Sequence, residues 1–316
     1  MSACATTALW SAMHSVARKE GLGIPTPADI TQAASRYVLA SGRSLPSEGL
    51  NIQQICEATR AAGLEPIVIR SLSLEQDRAQ LLSYLSSGFA PVLAIQTPEG
   101  IGHAVCAVGI KMGETQPQPD IALHYRETSS AVSVVYIHDD RLGPYASADL
   151  FSHTREGKVL TGLLIRWPRT ANETELATLN ALIVPVPAKV RLTVTRMREL
   201  GLAIAEGAGL MFPQFDRAVG LGTRYYKGTD YRKAASDFGL SQDGLYTLLC
   251  GISLSRYIGV IEISTPNGPL FDVLLDTTET GANPAALACV RRRLLPKGGE
   301  QELGAIARKL GARLVL

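Results

Sequence analysis

The 316-residue sequence predicts an α+β protein, and three observations carry that reading. Helical segments come first, up to about Ala62. Apolar runs of strand length follow, up to about Trp167, and helices succeeded by an antiparallel sheet make the order of an α+β domain. Beyond a polar break the mixture repeats, with the hairpin signal Pro266-Asn267-Gly268 set between two further apolar runs.

The first helix runs from Cys4 to about Glu20, where the stretch from Gly21 to Pro27 breaks it. A second covers about Ala28 to Ala40, with Thr26 or Asp29 placed to cap it, and residues 41–49 are turn-rich. Asn51 caps a third helix, which Gly63 stops. Pro66 to Arg70 reads as a short strand and Leu74 to Ser86 as a helix. Strands are then expected at 91–96, 103–111, 132–138 and 159–167, with a polar loop over 113–119. The chain turns polar at 168–175. Ile183-Val184-Pro185-Val186-Pro187 reads as an extended connection, since proline and the residue before it disfavour helix. The boundary is therefore expected between 174 and 175, giving a first domain of residues 1–174 and a smaller α+β domain of residues 175–316. The second holds a helix near Thr195 to Glu206, a Gly- and Tyr-rich stretch through Lys227 and a helix from Ser241 to about Ser253. Hairpin strands at 257–264 and 270–276 and helices at about Pro284 to Leu295 and Glu300 to Leu310 complete it.

With 46% hydrophobic and 19% charged residues the chain can bury one large core or two modest ones. A net charge of +2 gives no dominant field, so neither nucleic acid nor an anionic membrane is an expected partner. No run approaches the roughly 18 apolar residues of a membrane helix. Met1-Ser2-Ala3 leads into no secretory signal, and a cytoplasmic protein is expected. Five cysteines, odd in number and without a C-x-x-C pair, argue against a disulfide framework and a zinc site and fit free thiols. No cofactor is expected: no Gly-rich phosphate loop follows a strand, and His138, Asp139 and Asp140, the one group with ligand spacing, would diverge along a strand.

Chemistry concentrates at three segments. Cys4 opens the Ala-rich helix, and a thiol in the first turn lies in the positive end of the helix dipole, which favours thiolate. A free cysteine is more often a small buried hydrophobe. Cys4 departs from that pattern because it precedes the apolar stripe Leu9, Trp10, Met13 and Val16. A cysteine nucleophile needs an imidazole to hold it as thiolate and to protonate the leaving group, and the imidazole needs a carboxylate or amide to orient it. His103 begins a strand after Gly102, and Asp139 ends the next strand, so an antiparallel pair sets the two side by side. Asp140 is a rival orienter, and strand alternation would let only one of them face His103.

The run Cys4-Ala5-Thr6-Thr7-Ala8-Leu9, the strand His103-Ala104-Val105 and the strand end His138-Asp139-Asp140 resemble, in this order, the papain-like cysteine peptidases of the branch that includes the double-glycine-leader peptidases. The resemblance covers about residues 1–167, Asp149-Leu150-Phe151 included. It implies a papain-like domain with Cys4 as nucleophile, His103 as general base and acid and Asp139 as orienter, acting on a peptide or isopeptide bond through an acyl-enzyme. Two positions depart from the family. Met1, Ser2 and Ala3 stand where it usually has a Gln that donates to the oxyanion, a loss worth about 10²–10³ in rate, and Asp140 stands where it often has proline. A transglutaminase or deamidase would use the same triad. A papain-like scaffold that binds protein without catalysis is the competing class.

His14, ten residues after Cys4, falls off its helical face, and His124 and His153 lie in polar contexts. Cys56, Cys106, Cys250 and Cys289 read as core. In the second domain, Arg224-Tyr225-Tyr226-Lys227 with Tyr231-Arg232-Lys233 reads as a solvated basic face or a contact for a protein partner. The edge of the predicted hairpin is free to pair with another copy or another chain.

Overall fold

The structure, a computed structural model, describes residues 3–36, 49–113, 124–155, 157–167, 173–211, 219–278 and 285–316. The ends expected for the second helix (to Ala40) and the loop after Gly113, most of the polar break at 168–175 and the start of the helix expected from Pro284 lie outside the described residues. The chain is α+β and divides into two units, Met1–Glu114 with Val132–Ala188, and Thr115–Ala131 with Lys189–Leu316.

The first unit opens with helices α1 (Cys4–Glu20), α2 (Pro27–Ala34) and α3 (Ile52–Ala61). Gly21 closes α1 at φ 67, a left-handed conformation that costs glycine least. Thr26 caps α2 and Asp29 caps back, and Asn51 and Gln54 do the same for α3, so both helices begin with capping boxes. Strand β1 (Leu64–Arg70), helix α4 (Leu74–Ser86), and strands β2 (Val92–Gln96) and β3 (Gly102–Met112) follow. After a short strand that joins the other unit, β4 (Tyr125–Glu127), come β5 (Val132–Asp139), β6 (Gly143–Arg155), β7 (Lys158–Arg166) and β8 (Thr174–Pro187).

These strands form one sheet in the order β1-β8-β2-β3-β5-β6-β7, and β7 also pairs with β8, which closes it into a barrel. The closure depends on the length of β8. Its first half pairs with β7 through Leu164↔Leu176, and its second half pairs with β1 through Val68↔Ile183. The interior is filled by one cluster with members on β2, β3, β5, β6, β7 and β8, among them Leu93, Val105, Ile137, Ala148, Leu163 and Leu179, and Leu81 of α4 joins it. Small Ala146 and Ala148 on β6 alternate with half-exposed residues, the period-two pattern of a strand with one face inside. Buried Asp77 of α4 accepts from Thr161 of β7 at 2.5 Å and from Ser71 at 2.6 Å, fastening α4 to the barrel. Helix α1 packs across the outer face, mainly on β3, with Leu9, Met13 and Val16 fully buried.

Two features differ from expectation. β6 is a long strand where the sequence reading has none, because alanines on its inner face dilute the apolar signal. The segment read as a connection after 175 is β8, so the first unit runs to Ala188 and gives residues 115–131 to the other. Prolines do not exclude the strand because Pro185 lies opposite Pro66, which puts both missing N–H groups on one rung of the ladder.

The second unit is a six-stranded sheet, β13-β12-β11-β10-β9-β4, built from β9 (Val219–Lys227), β10 (Tyr257–Thr265), β11 (Gly268–Asp276), β12 (Ala286–Arg291) and β13 (Arg313–Val315) beside β4. Helix α5 (Val194–Met211) packs on β9 and β10, and Gly209 lets it approach the chain before β4 so closely that a Cβ there would lie 2.4 Å from the His124 carbonyl oxygen. The short helices α6 (Gly228–Ala234) and α7 (Gln242–Tyr246) precede β10, and α8 (Gly299–Leu310) leads to β13. Gly268, at φ 113, turns the expected hairpin between β10 and β11. That hairpin has no free edge, since β9 and β12 flank it. The helix expected at Pro284 to Leu295 is replaced by β12: Ala288, Cys289, Val290 and Arg291 are buried in succession, and a strand covered on both faces lacks the alternation that separates it from a helix. Cys289 is therefore a strand residue, and Cys250, expected in the core, is exposed in the π-turn Thr247–Gly251. Among the described residues no helix is long and apolar enough to cross a membrane.

Candidate active site

Cys4 is the first residue of α1 and only 6% exposed. The first-turn N–H groups of a helix have no intrahelical acceptor, so the backbone around Cys4 presents donors and the positive end of the dipole to whatever the sulfur meets. The N-cap Ala3 supplies no side chain to occupy them.

His103 and Asp139 come from the barrel. Cys106 pairs with His138 and Ala107 with Ile137, so extending the ladder by one rung places Asp139 opposite Val105, diagonal to His103 on the same face. The side chains span that diagonal: His103 Nε2 lies 3.0 Å from Asp139 Oδ2. The register of β5 against β6 shifts between Ile137 and Asp139, a bulge of the kind that re-aims a side chain at a strand end. The Cys4 thiol is also hydrogen-bonded to the ring.

The electrostatics follow from these contacts. Burial alone would lower the His103 pKa, but the hydrogen bonds to Asp139 and Cys4 and the Asp139 charge outweigh it and raise the ring to about 9. Burial would raise Asp139, yet the bonds from His103 and the Arg141 backbone bring it down to about 2. At neutral pH the pair is thus imidazolium and carboxylate, and an imidazolium beside sulfur is the partner a thiolate requires.

Arg141 is a participant that the sequence reading misses. Its N–H donates to Asp139 Oδ1 at 2.7 Å, closing a tight turn. Its guanidinium reaches Asp139 Oδ2 and Glu175 Oε1, each at 3.3 Å, tying the Asp139 carboxylate to β8. Only a reading that places Glu175 on a barrel strand could have found this bridge. The rivalry between the two aspartates resolves on geometry. Asp140 Oδ1 is 3.8 Å from His103 Nε2, so both carboxylates approach the ring, because Asp140 begins the turn and strand alternation has ended there. Asp139 is the buried and closer of the two, at 3.0 Å. His103, Asp139 and Asp140 also have ligand atoms within 4.8 Å of one another, nearer than divergence along a strand would allow, but His103 and Arg141 already occupy Asp139.

The other candidates separate from this site. His138 points away from Asp139 and packs edge-on against Tyr145 at 4.8 Å, and His14 does the same with Trp10 at 4.5 Å. His153 Nε2 bonds Thr178 at 3.2 Å. Burial pushes the thiols of Cys106 and Cys289 up to about 12 and raises Cys56, which leaves them poor nucleophiles. The basic aromatic cluster of the second unit is no solvated face: Tyr225 and Tyr231 are buried, and Arg224 pairs with Glu262 at 2.9 Å.

A pH profile gives a direct check of the His103–Asp139 bond. A step that needs the imidazolium should fail as pH rises through about 9. Asp139→Asn removes the charge that holds the proton, so the alkaline limb of Cys4 acylation should move to lower pH by more than about one unit. A limb unmoved in that variant would mean that Asp139 does not set the protonation of His103.

No protein-family model matches the chain and no curated protein matches it, so what the chain does is argued from the geometry of Cys4, His103 and Asp139.

Proposed function

We propose that the chain is a thiol hydrolase of papain-like type that cleaves a peptide or isopeptide bond through an acyl-enzyme. One observation carries the reading: a continuous run of hydrogen bonds from Cys4 through His103 to Asp139, drawn from a helix start and from two strands that begin about a hundred residues or more after it in sequence, with the imidazole raised to about 9. Closure of the barrel beside α1 supports it, since it gives His103 and Asp139 a rigid mount. In the reaction, the Cys4 sulfur forms a bond to the acyl carbon and the carbonyl electrons move to oxygen, where the uncapped first-turn N–H groups of α1 can donate. His103 gives its proton to the amine as the C–N bond breaks. Water then attacks the thioester, His103 takes the water's proton, and the acid departs as the S–C bond breaks. Asp139, kept ionised by His103 and by Arg141, holds the ring in the tautomer this cycle needs.

p-Nitrophenyl acetate tests the reading without knowledge of the natural substrate. The expected result is a burst of p-nitrophenol and one acetyl group on the peptide containing Cys4, absent from Cys4→Ala. Acetylation spread over exposed lysines, with none on Cys4, would dismiss it.

A further inference from the structure

A cleft of about 670 Å³ opens beside the imidazole, and all of its walls belong to the first unit. His103 lines it and Cys4 does not. In amide cleavage the proton donor stands on the side from which the amine departs, so a cavity that shares a wall with the imidazole and not with the sulfur receives the departing half of the substrate.

The walls state a chemistry. Ile101, just before β3, and Leu176, on β8, are 64% and 51% exposed, with Leu164 of β7, opposite Leu176, as a third apolar contact. Large apolar side chains left bare around a concavity are what a binding site shows. Two carboxylates accompany them, Glu99 and Glu175. The one cation in the wall, Arg141, is already engaged by Asp139 and Glu175. Glu99 is exposed, with no cationic partner among the described residues.

We propose that this cleft is the leaving-group subsite and that it takes a peptide segment carrying a large apolar side chain next to a lysine or arginine. Ile101 and Leu176 hold the apolar residue, and Glu99 draws the cation, since Glu175 is already paired with Arg141. The proposal rests on the thiol-hydrolase reading, and its test separates the two. Iodoacetyl-Leu-Arg-amide and iodoacetyl-Leu-Glu-amide carry residues on only one side of the reacting carbon, so the dipeptide is free to fill the cleft while Cys4 is alkylated. Each rate is divided by that of iodoacetamide on the same protein, read by mass spectrometry at Cys4. The Arg probe should be up to about fivefold faster than the Glu probe, the size of one partly exposed ion pair, and Glu99→Lys should reverse the order. Equal normalised rates, or a faster Glu probe on the wild type, would overturn the subsite and leave the hydrolase standing. Iodoacetamide reacting no faster with the wild type than with His103→Ala would overturn the hydrolase reading, and the subsite with it.

Discussion

Replacing His103 with Ala should slow acetylation of Cys4 by p-nitrophenyl acetate at neutral pH by about 10²–10⁴-fold. Two contributions are lost together: the cation that stabilises thiolate, and the acid that protonates the leaving group. For an ester with a good leaving group the first dominates, so an amide substrate should suffer more than the ester. The fold should survive, because Asp139 keeps both of its contacts to Arg141. The expected loss of stability is that of one hydrogen bond to a buried charge, about 1.5–3 kcal/mol. Rates within twofold of wild type, in a protein whose thermal midpoint shows it folded, would mean that the imidazole does not act on the thiol and that the run of hydrogen bonds is structural.

That three residues so far apart in sequence can be read together follows from where chemistry leaves traces. Cys4 is legible because it stands ahead of its helix's apolar stripe, and His103 and Asp139 because each stands at the end of an apolar run where a core residue would be expected. Arg141 and Glu175 leave no such trace. Their pairing is a consequence of barrel closure, and closure depends on β8, whose prolines and unbroken burial disguise it as a connection. The same blindness to burial on both faces hides β12 behind an Ala-rich, helix-like composition. Caps and turns at Thr26, Asn51 and Gly268 were readable because local backbone geometry selects the residue whatever the tertiary context.

The second unit carries its charges inward, and that makes Arg292→Ala the substitution with the largest expected cost to stability. Asp272 of β11 has no exposed surface. Its Oδ2 accepts from the Tyr231 hydroxyl and from Arg292 Nη1, both at 2.7 Å, and the Arg292 guanidinium stacks on Phe238 at 3.9 Å. Burial raises the Asp272 carboxyl above its ordinary range, while Arg292 and the Tyr231 hydroxyl pull it back. Removing Arg292 leaves a buried carboxylate with its cation gone, which costs about 3–5 kcal/mol in chemical denaturation. The sign with pH follows from the same shift. A carboxyl whose folded pKa lies above its unfolded one contributes less as pH rises past the ordinary carboxylate range, and Arg292→Ala raises the folded pKa further. The deficit should therefore be largest at neutral pH and shrink on acidification, when Asp272 is neutral in both states and only packing and hydrogen bonds are missing. Converting the group to an apolar one, with Arg292→Met, Asp272→Leu and Tyr231→Phe together, should recover most of the loss, because it is the unpaired charge that is costly. A triple variant as unstable as Arg292→Ala, or a deficit indifferent to pH, would show that Arg292 contributes mainly through its stacking on Phe238.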